Sequence, residues 1–237
     1  MLPVILATFV VCFLVERLRP GWSLPRVPTW PLRVLAMNAV QLVVVLLAGV
    51  SWERWFSAAS LFHLSAHVSP ATGGLVAYFI ATFVFYWWHR VRHTNDTLWR
   101  LFHQIHHSTH RLQTATALYS HPLDYASTLL IINVVAYSIL GFDAERAAWT
   151  TAWVGVFELW EHTNIRTPRW LGFVIVRPEM HRIHHELNRH RNNYGLPLWD
   201  MLFGTYENSH REVLCGFSRE RESRLREMLR FRDVHKS

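Results

Sequence analysis

The sequence predicts an all-α fold: a polytopic membrane helical bundle of four to five spanning helices, with a cytoplasmic helical cap that carries clustered histidines. Three observations predict it. Uncharged apolar runs approach the length of a bilayer crossing, arginines gather in alternate connections between those runs, and no stretch alternates apolar and polar residues as a half-buried strand would. With 51% hydrophobic and 17% charged residues in 237, disorder and collagen-like structure are excluded.

The runs Met1 to Val15, Val34 to Val50, Ala71 to Trp88 and Tyr125 to Phe142 contain no charge and measure 15 to 18 residues. Flanking Trp and Arg can extend such runs to the roughly 20 residues that a helix needs to cross the hydrocarbon core. The first lacks a basic n-region and a small-residue cleavage site, so it reads as a retained helix and not as a signal peptide. A fifth stretch, Ala147 to Phe157, follows the tight Gly141 to Arg146 connection and returns across all or part of the bilayer. Arg17, Arg19, Arg26 and Arg33 lie between the first two runs, which places that connection in the cytoplasm and the N-terminus outside. Counting onward, 51–70 and 143–146 are external, while 89–124 and everything after 158 are cytoplasmic. Of 23 arginines only Arg54 and Arg146 then fall outside.

The net charge of +7 is therefore membrane topology with some attraction to anionic lipid, and nucleic-acid binding is excluded because no recognition motif accompanies it. The predominance of Arg over the single Lys236 points to a bacterial source, and hence to a bacterial inner membrane with the site facing the cytoplasm. Trp22 to Pro31, with Pro25 and Pro28, reads as an interfacial loop. The chain divides into N-terminal membrane helices (1–74), a catalytic domain (75–206) and a basic tail (207–237), where Leu225, Met228 and Leu229 form the narrow apolar face of a solvated or membrane-surface helix.

Cys12 and Cys215 form no CxxC, so a disulfide framework and a thiolate metal site both lack residues. Histidines take their place, in the order His89-x3-His93, His103-x2-His106-His107, His162-x-Asn164 and His181-x2-His184-His185. Helical residues three and four apart share a face, so each box is expected to aim its imidazoles in one direction and the boxes to converge on one volume. Nine imidazoles exceed the needs of one ion and suit two metals with four or five ligands each. His89 directly follows the apolar Tyr86-Trp87-Trp88, which sets the metals close to the membrane surface.

Glu158, four residues before His162, is a candidate carboxylate ligand or an acceptor that orients an imidazole N–H; Glu161, Asp124, Asp200 and Asn193 are further candidates for the orienting role. His63 and His67 fall on the external side, His110 continues the His103/His107 stripe, and His121 precedes Pro122 at a helix start. His190, His210 and His235 belong to no box. Arg90, Arg92, Arg182 and Arg189, among the boxes, read as topology and headgroup contacts, or as a dock for an acidic electron donor.

This order, together with His121-Pro122, Pro178, Asn193-Tyr194-Gly195 and Trp199-Asp200-x2-Phe203-Gly204-Thr205, resembles the sterol desaturase/fatty acid hydroxylase superfamily over roughly residues 75–206. The resemblance implies a membrane-embedded, non-haem di-iron oxygenase that uses O2 and two electrons to hydroxylate or desaturate a lipid C–H bond. It would make His89, His93, His103, His106, His107, His162, His181, His184 and His185 ligands of two iron ions, with zinc as a possible substitute. Glu158, Asn164 and Asn193 stand as candidate catalytic residues. Two positions depart from the family pattern: Thr82 where many relatives carry Asp, and Glu158 where some carry a further His. A carboxylate there favours iron over zinc. The chain has no GxGxxG and no CxxCH, so electrons are expected from a separate reductase, ferredoxin or cytochrome. A zinc-dependent membrane hydrolase and a histidine-lined metal transporter remain the rival readings, the second disfavoured by the scarcity of polar groups within the apolar runs.

Overall fold

The computed structural model describes residues 1–235, apart from the side chains of Val50, Ser51, Glu53 and Arg219; the last two residues of the tail, Lys236 and Ser237, lie outside the described residues. The described chain is helical, with a single isolated β-bridge between Glu186 and Cys215. In chain order the elements that matter are α1 (Leu2–Leu18), α2 (Trp30–Ser51), α3 (Pro70–Thr94), α4 (Gln104–His107), α5 (Pro122–Asn133), α6 (Ala144–His162), α7 (Pro178–His184) and α8 (Pro197–Leu202). A π-helical turn, Trp99–His103, leads into α4, and another, Val134–Ile139, extends α5.

Among the described residues three helices are long and apolar enough to cross a membrane: Trp30–Gly49, Pro70–Thr94 and Pro122–Ile139. α1 is as apolar but has 17 residues, a rise of about 26 Å against a hydrocarbon core of about 30 Å. α6 has 19 residues but carries Glu145, Arg146, Glu158 and Glu161. The outer face of α2 exposes Leu35, Leu42, Leu46 and Leu47 at 51–69%, a continuous apolar surface of the kind that faces lipid.

Local chemistry sets the helix ends. Ser69 accepts from the Thr72 N–H with Pro70 in the first turn of α3, and Asp143 accepts from the Arg146 N–H at the start of α6. The His121 side chain accepts from the Leu123 N–H ahead of Pro122, which is the structural service its position suggested. α3 and α6 form the tightest pair. A Cβ on Gly74 would stand 2.4 Å from that of Trp149, so only glycine permits the approach. Tyr78 stacks on Phe157 with centroids 4.7 Å apart. α3 and α6 thus run side by side toward the histidines at their C-terminal ends.

The tail departs from the expected solvated helix. It makes two short turns, Arg219–Glu222 and Leu225–Met228, and folds back so that Met228 and Val234 are fully buried with Trp30, Trp99, Ile105, Tyr119 and Phe217. The apolar triplet reads as a surface stripe only when the tail is taken alone. Trp99 and Ile105, beside the histidines, give it a core to cover.

Candidate metal centre

The histidines ride on element ends. His89 and His93 close α3, His103 ends the π-helical turn, His106 and His107 belong to α4, His162 ends α6, and α7 carries His181 and His184, with His185 as its C-terminal cap. α7 is fixed from its start by the fully buried Arg177. That guanidinium donates to the Thr167 carbonyl at 2.7 Å and to Asn208 Oδ1 at 2.5 Å, and pairs with Glu179 at 2.7 Å.

The imidazoles gather into two groups. One ligand nitrogen from each of His89, His93, His103, His107 and His184 lies within 4.8 Å of the others, and the same holds for His106, His162, His181 and His185. Within the first group Nε2 of His103 is 2.8 Å from Nε2 of His89 and 3.1 Å from Nε2 of His107. Within the second, Nε2 of His162 is 3.3 Å from His106 and 3.0 Å from His181, whose Nε2 is 3.1 Å from that of His185. The rings of His107 and His185 stack at 4.0 Å and join the groups.

The boxes do converge on one volume, and His89 and His93 enter the same group, but neither HxxHH box aims in one direction. His103 and His107 enter the first group while His106 enters the second; His181 and His185 enter the second while His184 enters the first. At about 100° per residue, positions i and i+4 differ by about 40°, whereas i+3 and i+4 diverge by about 100°. A face wide enough to hold all three side chains is too wide to serve one ion.

The outer hydrogen bonds decide which nitrogen faces inward. Nδ1 of His89, His162 and His184 donates at 2.7 Å to the carbonyls of Tyr194, Glu158 and Asn192, and Nδ1 of His103 meets Asp124 Oδ2 at 2.9 Å. Carbonyls accept only, so these rings carry their proton on Nδ1 and turn the Nε2 lone pair inward. Burial, reinforced by neighbouring imidazoles, pushes His103, His106, His107, His181 and His185 well below the usual histidine range. Burial takes His184 down to about 3. The buried Nε2 atoms of His93 and His184 have no hydrogen-bond partner among the described residues. Neutral, inward-facing imidazoles in groups of five and four fit a pair of transition-metal ions.

The other expected site residues take distinct places. The Glu158 carboxylate stands 3.8 Å from His162 Nδ1, and Glu161 3.4 Å from His181 Nδ1. Asp200 accepts from the Tyr194 and Gly195 N–H groups and the Thr205 hydroxyl, holding the loop whose Tyr194 carbonyl receives His89. The Asn193 amide donates to the Met180 and Glu207 carbonyls and accepts from the Glu207 N–H, tying α7 to the segment after α8. Asn164 turns away from the histidines; its side chain bonds both the N–H and the carbonyl of Trp22. Thr82, the departure from the family pattern, accepts from Trp199 Nε1 at 2.9 Å.

The four arginines among the boxes all have internal contacts: Arg90 on the Tyr86 hydroxyl, Arg92 on Asp124, Arg182 over the Trp22 ring, and Arg189 on Glu186 and Glu207. His110 sits 3.9 Å from Glu222 and apart from both groups.

His190 lies outside every box, yet its Nδ1 is 3.1 Å from Nδ1 of His107 and it is buried. It sits at φ +42° in a loop where Asn188, Asn192 and Asn193 also take positive φ. That run of asparagines between 188 and 193 was the only sign of a tight loop that could bring it there.

A cavity of about 130 Å³ opens beside the two groups between α3, α5 and α6. Tyr78, Phe85, Val154, Gly155 and Phe157 are among its apolar lining, and Arg92, Asp124, Glu158, Glu161, His89, His103, His106 and His181 among its polar lining.

Comparison with known proteins returns the family described as fatty acid hydroxylase, matched over residues 74–205. Among curated proteins the chain is similar to human alkylglycerol monooxygenase (Homo sapiens), 30% identical with 57% of this chain and 31% of that protein covered. It is 34% identical to an ornithine lipid hydroxylase of Rhizobium tropici, covering 56% of this chain and 41% of that protein. It is 25% identical to sphinganine C4-monooxygenase 1 of Arabidopsis thaliana, covering 51% and 48%. The chain thus spans less than half of the length of these relatives. No solved structure matches it.

Proposed function

Because the chain belongs to the fatty acid hydroxylase family, we propose that it is a membrane lipid hydroxylase, a monooxygenase whose nine clustered histidines hold two iron ions. The observation that carries this reading is the division of the imidazoles into five and four, with Nδ1 protons turned outward and lone pairs turned inward. Bound iron would supply activation of O2, one oxygen atom entering a C–H bond and the other leaving as water, with two electrons and two protons consumed.

The chain's own residues supply placement. Asp124 and the carbonyls of Tyr194, Asn192 and Glu158 hold ligand rings in one tautomer. Glu158 and Glu161 border the substrate space, and Asn193 and Asn164 keep the ligand-bearing segments and the Trp22 loop together. The apolar side of the cavity, at the depth of the α3 and α6 helices, suits a lipid chain arriving from the bilayer. The names of the relatives, which concern alkylglycerols, an ornithine lipid and sphinganine, support a lipid substrate.

Electrons would come from a separate reductase, ferredoxin or cytochrome. α1 and α6 would complete a bundle of four to five crossings, with the histidine cap on the cytoplasmic face of a bacterial inner membrane. Incubation of the iron-loaded chain with a reductase, a lipid extract and labelled O2 tests the reading. One 18-O atom retained in a lipid alcohol supports it, and alkene without labelled alcohol would make the reaction a desaturation.

A further inference from the structure

The chain between α7 and the tail descends along α3 and comes back. The descent starts at His89, whose Nδ1 donates to the Tyr194 carbonyl at 2.7 Å. Gly195 then passes close to Tyr86: a Cβ on it would stand 3.5 Å from that of Tyr86. α8 brings Trp199 to Thr82, where the indole N–H donates at 2.9 Å and the ring meets Phe83 at 5.1 Å and Phe79 at 6.0 Å. The return follows. Phe203 packs on Tyr86 at 5.2 Å and on Trp87 at 4.8 Å, and the Thr205 hydroxyl lies 2.9 Å from that of Tyr86. Thr82 is the middle residue of the 25-residue α3, about 10 Å below the level of His89 at 1.5 Å per residue. Because α3 is long and apolar enough to cross a membrane, a segment packed on its midpoint stands at the depth of acyl chains.

We infer that residues 194–205 form a re-entrant loop inserted in the bilayer. The outer face of α8, with the 3-10 turn Arg169–Phe173 beside it, is covered by the acyl chains of the leaflet nearest the histidines. The polar groups of the loop suit that place. Asp200 is its one charged residue; it is fully buried, and its carboxylate accepts from the Tyr194 and Gly195 N–H groups and the Thr205 hydroxyl. The Thr205 N–H goes to the Asp200 carbonyl and the Asn193 N–H to the Thr205 carbonyl, so the ends of the loop are satisfied without water, as hydrocarbon demands. Tyr194, Gly195 and Leu196, where the backbone is not helical, line the cavity, the setting in which irregular backbone is tolerated at membrane depth. The outward side chains suit it too. Leu198, Met201 and Leu202 are 43–65% exposed, and Trp170, Phe173 and Val174 on the neighbouring turn 58–64%. The Tyr206 hydroxyl donates to the Gly172 carbonyl at 3.1 Å and ties the two elements together. Trp199 packs beside Phe79 and Phe83, which are themselves 46% and 42% exposed on α3, so one apolar surface continues from the spanning helix onto the loop. Exposed Arg166 and Arg169 precede Trp170, the combination of cation and indole that marks the headgroup level.

The test is nitroxide labelling of the full chain in vesicles of phosphatidylcholine and phosphatidylglycerol. Leu202→Cys and Val174→Cys carry the labels. Leu42→Cys on the exposed face of α2 is the lipid reference, and Arg226→Cys on an exposed turn of the tail is the water reference. Cys12 and Cys215 are buried, and wild type treated with the label supplies the blank. Relaxation of each label by O2, which concentrates among acyl chains, is compared with relaxation by a water-soluble nickel chelate. At 202 and at 174 the ratio of the O2 effect to the nickel effect should fall near that at Leu42 and several-fold above that at Arg226. A ratio at either position equal to that at Arg226 overturns the insertion and leaves the face to a soluble partner. A label reached by neither reagent, with dipolar broadening that disappears on dilution with unlabelled chain, would place a second copy there and overturn it too. Each labelled chain is required to keep the melting profile of wild type, and Leu198→Cys or Phe173→Cys takes the place of one that does not.

Discussion

The HxxHH boxes at 103–107 and 181–185 have the same spacing and make opposite contributions. The first sends its outer pair, His103 and His107, to the group of five and its inner His106 to the group of four; the second sends His181 and His185 to the group of four and His184 to the group of five. Their supports differ as well. His103 leans on a carboxylate, Asp124, which is itself held by the buried Arg92, and His107 meets His190. His181 has Glu161 at a looser 3.4 Å, and His185 Nδ1 has no hydrogen-bond partner among the described residues. Identical motifs are thus not interchangeable: in the first box a carboxylate braces His103 directly, while in the second Glu161 stands off from His181, and both carboxylates line the cavity.

The strongest way to break this comparison is to remove one ligand from each group. His103→Ala and His162→Ala should both reduce turnover to background, and each should lower iron from two per chain toward one, a loss read by metal analysis on purified protein. Unchanged iron in either variant would contradict the assignment of that ring. A milder change separates the braces. Asp124→Asn should weaken iron binding about 10- to 100-fold, whereas Glu161→Gln, at a longer contact, should change it only a few-fold, as measured by chelator competition. Asn193→Ala should leave iron sites intact at low temperature. It unpairs the Met180 and Glu207 backbone groups, at a cost of about 1–3 kcal/mol, seen as a lower melting temperature. Arg211→Ala removes exposed pairs with Glu186 and Glu207. It should cost about 0–1 kcal/mol and leave iron content unchanged.

Box spacing and the apolar runs made the helical class, the span at α3 and the convergence of the histidines legible, because those depend on periodicity along one chain. The split of each HxxHH box was not, since it depends on where two helices stand relative to each other. His190 was missed because a left-handed asparagine loop, and not helical spacing, carries it to His107. The carbonyls of Tyr194 and Asn192 were beyond reach for a simpler reason: every residue has a carbonyl, and only the fold selects the two that orient His89 and His184. Asp124 was visible as an acidic residue near the boxes, but its position between Arg92 and His103 was not. The tail misled because Leu225 and Met228 look like a surface stripe until Trp99 and Ile105 are placed beneath them.

The central claim is that five and four histidines hold two ions. Iron quantification with Mössbauer spectroscopy on the full chain purified from iron-57 medium tests it most directly. Two coupled irons per chain are expected. A single ion, or zinc alone from iron-replete cells, would contradict the claim and turn attention to hydrolysis by zinc-bound water.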